Sequence, residues 1–267
     1  MQIPGHYINL DRAEARRAYM QGEIARLGLP VTRLAAVDGG GLTDADMQRL
    51  HPHAAMHRMA KAEVACFLSH RNCWIKTAEA EARFGAVFED DIAFSDDALA
   101  FLGEDGWLPD GADLIKIETT SRMVMLDRKP VPVKGRALAR LTSRHLGGGG
   151  YILSKPCAAR LVAATETIAL PVDYALFDPA MALLPDVTVW QLNPAICVQQ
   201  LRSKSVFLPA GIDWSELSKD RVALKKRGLA KLRREVTAPF VQAIDFAKQT
   251  IRAALTGRRW QIVRFRK

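Results

Sequence analysis

Apolar and polar positions along the chain follow two rhythms. Short apolar runs bounded by Gly, Pro or acidic residues recur at Tyr7-Ile8-Asn9-Leu10, Val31 to Val37, Ala86 to Phe88, Leu114 to Ile117, Tyr151 to Leu153 and Val187 to Leu192. Such runs predict buried strands. Between them the spacing turns helical. Ala13 to Leu27 has apolar positions at Ala18, Ile24, Ala25 and Leu27, with Asp11 as its expected N-cap and Gly28 as its stop before Pro30. Met59 to Ala82 predicts a long helix packing through Ala62, Ala65, Cys66, Ser69, Cys73 and Ile75. Phe94 to Leu102 predicts a short helix, and Pro156 to Thr165 another, with Pro tolerated in the first turn. Met123 to Leu141, broken by Pro130, Pro132 and Gly135, reads as a β-rich excursion. The opening strand, helix and strand form a βαβ unit whose connection should be right-handed. The fold class is α/β.

One run ends unusually. Gly85-Ala86-Val87-Phe88 leads straight into Glu89-Asp90-Asp91. The run predicts a central strand of a parallel sheet, and ligands of open α/β sheets bind beyond the carboxyl ends of strands. Three adjacent acids repel one another unless a cation lies among them, and hard divalent ions such as Mg2+ and Mn2+ take oxygen ligands. A solvated turn or a helix N-cap would also place Asp here.

Other stretches carry weaker chemistry. Asp38-Gly39-Gly40-Gly41 offers a bare turn for close approach to a nucleotide, but no dinucleotide or P-loop spacing accompanies it. His51, His53 and His57 lack a metal-ligand pattern and read as an exposed polar segment. Glu63, Ser69, His70 and Trp74 are unusual on a core-facing helix, although a lone histidine is more often structural. Ser69 and His70, being adjacent on a helix, do not face each other. Lys116 flanks an apolar run, where it either snorkels or meets an acid or phosphate. Gly147 to Gly150 lead directly into a strand, which favours close backbone approach to a ligand over a flexible linker. Asp173 stands among apolar residues, a setting that tunes a carboxylate as a general base.

Charge divides the chain. Residues 200–267 hold 17 Lys and Arg against 5 Asp and Glu, whereas the preceding residues hold 21 against 24. All the excess of the +9 net charge therefore lies at the C-terminal end. The boundaries expected are a catalytic body over 1–212 and a basic amphipathic helical tail over 213–267. Ile244, Ala247, Ile251 and Leu255 would share a helix face, and the ending from Arg258 to Lys267 mixes basic with bulky apolar residues. That suits an anionic membrane surface, with nucleic acid as the competing account and no specific nucleic acid expected. No secretory leader and no apolar run of about 18 residues is visible, and Cys66, Cys73, Cys157 and Cys197 lack metal-type pairing. The expectation is a cytoplasmic protein with reduced thiols, peripheral on the cytosolic face of the inner membrane.

Taken in order, Tyr7 to Arg12 with Arg16, Ala36-Val37-Asp38-Gly39, Glu63 to His70, Glu89-Asp90-Asp91, the glycines before Tyr151 to Ser154, Pro171-Val172-Asp173 and Pro194 to Gln199 resemble glycosyltransferase family 25. The resemblance covers roughly residues 1 to 200. It implies a GT-A-like, Rossmann-type nucleotide-sugar-binding sheet and inverting transfer from a UDP-sugar, usually UDP-galactose, to a glycan or lipid-linked acceptor such as lipooligosaccharide. A glucosyl- or other hexosyltransferase, or a non-catalytic sugar-binding member, is the alternative. The resemblance assigns Glu89 and Asp91 to a divalent metal, Mn2+ or Mg2+. It assigns Asn9, Leu10, Arg12, Arg16, Asp38, Asp90, Gly149 and Gly150 to the nucleotide sugar, and Lys116 joins them on its own position as a candidate phosphate partner. Asp173 is the expected general base, with Glu63 and His70 as lesser candidates.

Overall fold

The computed structural model of the protein describes residues 1–52, 58–200 and 257–267. The expectations for His53, His57 and a helical tail over 213–256 lie outside these residues.

The chain opens with β1 (Gly5–Asn9), α1 (Glu14–Leu27) and β2 (Val31–Ala35). β1 and β2 are parallel, as the βαβ reading requires. Gly28 ends α1 in the left-handed conformation at φ 63°, and its N–H caps the last turn. Asp11 does not cap α1: Ala13 occupies that position, and Asp11 accepts instead from Arg33 on β2. A 3-10 turn over Gly39–Gly41 and the helix α2 (Asp44–Leu50) lead to α3 (Lys61–Glu79). Next come β3 (Phe84–Glu89), β4 (Ile92–Phe94), α4 (Ala98–Leu102), β5 (Leu114–Lys116) and β6 (Glu118–Thr119). The β-rich excursion is β7 (Met123–Asp127), β8 (Val131–Val133) and β9 (Arg136–Arg140). β10 (Gly150–Ser154), α5 (Lys155–Ala163), α6 (Val172–Phe177), β11 (Val189–Asn193) and β12 (Cys197–Gln199) follow, and β13 (Arg258–Ile262) lies near the end.

Eight strands form the main sheet in the order β2-β1-β3-β10-β5-β11-β9-β8. The sheet is mixed, which corrects the expectation of a parallel one. β3 runs parallel to β1 but antiparallel to β10, because β10 returns after the long excursion. Both faces are covered. Ala86, Phe88, Ile115 and Ile152 pack on one side with Met20 of α1 and Phe101 of α4. Val87, Leu114, Tyr151 and Leu153 pack on the other with Phe67 and Trp74 of α3 and Leu161 of α5. Alternate residues of one strand thus enter opposite cores, which explains runs that are apolar throughout.

His51 is buried, with Nδ1 2.6 Å from the Ile168 carbonyl, so that position is not part of an exposed segment. α3 buries Val64, Ala65, Phe67, Ser69, His70, Cys73, Trp74 and Thr77, a face rotated from the small-residue stripe expected. The final residues also differ from expectation. β13 pairs antiparallel with β7, Val263 is fully buried, and Thr119 Oγ1 donates to the Val263 carbonyl at 2.7 Å. Residues 257–267 are therefore a strand and its extension packed on the body. No disulfide joins the four cysteines.

Candidate active site

Two sheets meet at the carboxyl end of β3. Glu89 is the last residue of that strand, and Asp90 and Asp91 turn the chain into β4. β4, β12 and β6 form a three-stranded sheet beside the main one. Its pairing carries Gln199, from β12, opposite Ile92, and Glu118, from β6, opposite Cys197.

Gln199 joins the acids. Its Nε2 donates to Glu89 Oε2 at 2.6 Å and lies 3.4 and 3.5 Å from the two Asp91 carboxylate oxygens. Its Oε1 is buried and has no hydrogen-bond partner among the described residues. Burial pushes the Asp91 carboxyl well above the usual carboxylate range, and the nearby charges of Glu89, Asp90 and Glu118 push the same way. A group so placed holds a proton that a cation would displace.

Asp90 faces elsewhere. It accepts from Asn9 Nδ2 at 2.6 Å and from Arg16 Nε at 3.0 Å. Burial still raises its pKa, against the Arg16 charge. Arg33 donates to Asn9 Oδ1 at 2.9 Å, so the Asn9 amide lies inside a protein network. Arg12 pairs with Asp38 at the surface, and Asp38 Oδ1 accepts from Gly40 N–H at 2.8 Å. The Leu10 carbonyl accepts from Ala13 N–H.

Behind Glu89 lies a buried chain of polar groups. Trp74 Nε1, which only donates, gives its hydrogen to Tyr151 Oη at 2.7 Å. Tyr151 and His70 Nδ1 are 2.9 Å apart. His70 Nε2 is wholly buried, has no hydrogen-bond partner among the described residues, and stands 3.6 Å from Glu89 Oε1. Burial, followed by the nearby Cys73, pushes the Tyr151 phenol well above its ordinary value.

Lys116 does not snorkel; it meets an acid. It is wholly buried, donates to Glu118 Oε2 at 3.0 Å and to the Gly147 carbonyl, and lies 4.1 Å from the Phe177 ring centroid. Glu118 Oε2 also accepts from Gly149 N–H at 3.0 Å. This pair anchors the glycine run. A Cβ on Gly149 would stand 2.8 Å from Ile92 and 2.9 Å from Gln199, and one on Gly150 would stand 2.3 Å from Cys197 Sγ. Gly148 alone borders His70 and Glu89, at 3.3 and 3.4 Å from an added Cβ. Likewise a Cβ on Gly39 would meet the Ala62 backbone nitrogen at 2.8 Å, so this bareness serves packing against α3.

Glu63 Oε2 accepts from Ala60 N–H at 3.0 Å, a task at the start of α3. Asp173 lies in the first turn of α6, half-buried, and accepts from Tyr174 N–H at 3.1 Å. One helical turn later, Phe177 packs edge-on against Tyr151 at 5.7 Å. Sequence patterns assigned no role to Glu118, Gln199 or Tyr151. Glu118 repeats the signal of Glu89, an acid closing an apolar strand, and Gln199 ends a stretch that carries the family resemblance.

The family model of glycosyltransferase family 25 (LPS biosynthesis protein) matches residues 2–176, which include α3, the β3 acids, the glycine run and Asp173. This chain belongs to glycosyltransferase family 25. Among its relatives, lacto-N-neotetraose biosynthesis glycosyltransferase LgtB of Neisseria meningitidis serogroup A is 33% identical, over 74% of this chain and 75% of that protein. LgtE of serogroup B is 30% identical over 82% of each. Lipooligosaccharide biosynthesis protein lic2B of Haemophilus influenzae is 27% identical over 84% of this chain and 86% of its own length. A solved structure, the inositol-1-phosphate CTP transferase from T. maritima, aligns with TM-score 0.35 and 10% identity over 76% of this chain and 72% of that one, too loosely to bear on the fold. Among the described residues no helix is long and apolar enough to cross a membrane.

Proposed function

We propose that this family 25 member transfers a hexose, galactose, from a UDP-sugar to a lipooligosaccharide or related lipid-linked glycan, with inversion and with a divalent ion, Mn2+ or Mg2+, at Glu89 and Asp91. The observation that carries this reading is the Gln199 amide bridging two carboxylates, of which Asp91 is held by burial toward its neutral form. The donor set fits a hard cation: two carboxylates offer oxygens, and Gln199 holds beside them a buried Oε1 that has no partner among the described residues. Rotation of that amide would turn an oxygen toward the acids. As placed, the amide nitrogen occupies the electropositive place that an ion would take.

Glu89 and Asp91 would hold the ion, which when bound would supply charge neutralisation for the departing diphosphate. Asn9 and Arg16 fix Asp90, so the β3 turn keeps its shape. Arg12, at the surface beside Asp38, is the cation proposed to exchange its carboxylate partner for a phosphate. Asp173 lies in the first turn of α6, four residues before the Phe177 that packs against Tyr151. It is the proposed base, taking the proton of the acceptor hydroxyl. The hydroxyl oxygen attacks C1 from the face opposite UDP, the C1–oxygen bond to UDP breaks, and UDP leaves with the electron pair. One displacement inverts the anomeric carbon. The basic segment over 213–256 is proposed to hold the enzyme at the anionic cytosolic face of the inner membrane, beside its acceptor.

The test is UDP release from a panel of UDP-sugars, with and without manganese. Metal-dependent turnover of UDP-galactose, lost in Asp91→Asn, is expected. Absence of both turnover and metal-dependent UDP binding would overturn the reading. Asp173→Asn should lower kcat by roughly 10²–10⁴ while leaving UDP affinity intact, as loss of a general base does.

A further inference from the structure

We infer that Cys66, His70 and Glu89 form a second metal site, one for a thiophilic divalent cation such as zinc, and that its occupation withdraws Glu89 from the donor site. The Cys66 sulfur, a His70 ring nitrogen and a Glu89 carboxylate oxygen all lie within 4.8 Å of one another. Cys66 and His70 are four apart on α3 and so share one face. Independently, His70 Nε2 is buried without a hydrogen-bond partner among the described residues and faces Glu89 Oε1 at 3.6 Å. A histidine that ligates metal through one nitrogen is held by a partner on the other, and Tyr151 Oη stands 2.9 Å from Nδ1. The bare Gly148 borders the same two side chains. Solvent reaches Cys66 and Glu89, both half-buried, which gives an ion its way in.

The donor chemistry separates this site from the one formed by Glu89 and Asp91. Thiolate, imidazole and carboxylate together suit zinc, whereas manganese and magnesium favour all-oxygen sets. Closing the three donors to zinc distances takes movements on the order of 1 Å. Binding releases the Cys66 thiol proton to solvent, and His70 ligates through Nε2 as the neutral tautomer with its hydrogen on Nδ1, donated to the Tyr151 oxygen, whose own hydroxyl hydrogen rotates away from the ring. Sulfur–metal and Nε2–metal bonds form, and no oxidant or reductant is involved. Glu89 belongs to both sites: Gln199 holds Oε2, and Oε1 faces His70. Zinc therefore competes with donor-sugar activation through a shared ligand. That consequence rests on the proposed transferase reading, whereas the binding itself does not.

The experiment is a cobalt titration of the full-length, metal-free protein followed by absorption, with no donor sugar present. One equivalent should produce a thiolate-to-cobalt charge-transfer band that Cys66→Ser abolishes. Glu89→Gln should weaken binding, and Tyr151→Phe should weaken it by about 10–100-fold through loss of the histidine's support. Circular dichroism confirms the fold of each variant. No band in the wild type, or an equal band in Cys66→Ser, overturns the site. In the UDP-release assay at fixed manganese, zinc should slow the wild type and spare Cys66→Ser relative to its own zinc-free rate. Equal inhibition of both overturns the competition.

Discussion

Asp91 and Lys116 show how burial decides what a charged side chain does. Asp91 sits among acids, and its raised pKa means that the metal-free folded state binds a proton that the unfolded chain has released. The sign follows from that difference. The stability contributed by protonated Asp91 is full below the unfolded value of about 3.9 and is lost as pH rises through the raised folded value. Metal-free protein should therefore melt at lower temperature as pH is raised through that window. Asp91→Asn should flatten the dependence and raise the metal-free melting temperature. An unchanged pH profile in the variant would place the titration elsewhere. Lys116 is the converse, a buried cation satisfied by Glu118 and the Gly147 carbonyl. Lys116→Met should cost about 3–5 kcal/mol in urea unfolding, since it strands a buried carboxylate. Adding Glu118→Gln should recover part of that loss, because a neutral amide still accepts from Gly149 N–H.

At the level of elements, the site is made by short strands meeting. β3 was legible because an apolar run breaking off into three consecutive acids marks a strand end on local pattern alone. β6 and β12 were not, since strands of two or three residues carry little periodicity and their pairing spans about 80 residues of sequence. The glycine run was visible, but its reason was not. Gly150 has no side chain because Cys197 Sγ would stand 2.3 Å from its Cβ. Gly150→Ala should destabilise by roughly 1–3 kcal/mol, as overpacking does. Combining it with Cys197→Ala should restore part of that stability, and additive losses in denaturant titrations would show that the two positions do not share the space. The Asp11 cap failed for a related reason: a cross-strand arginine on β2 competes for the same carboxylate.

For the molecule as a whole, the terminal strand matters most. β13 gives β7 its only strand partner among the described residues. Val263 is fully buried with Val124, Leu126 and Ala195. Burying one such side chain is worth about 1.5–3 kcal/mol. Removing residues 257–267 should therefore lower the melting temperature measurably, whereas an arm free in solvent would leave it unchanged. The basic and bulky residues of this ending looked like a membrane-facing pattern because alternation on an edge strand produces the same sequence. The amino-acid sequence by itself determined the α/β class, the βαβ opening, the acidic strand end and the family, because these rest on local periodicity and short ordered motifs. Only the tertiary structure decided that the sheet is mixed, that Lys116 is buried against Glu118, that Gln199 bridges Glu89 and Asp91, and that His70 backs Glu89. Those facts depend on which side chains long-range strand pairing brings within hydrogen-bond reach, and spacing along a single chain does not encode that.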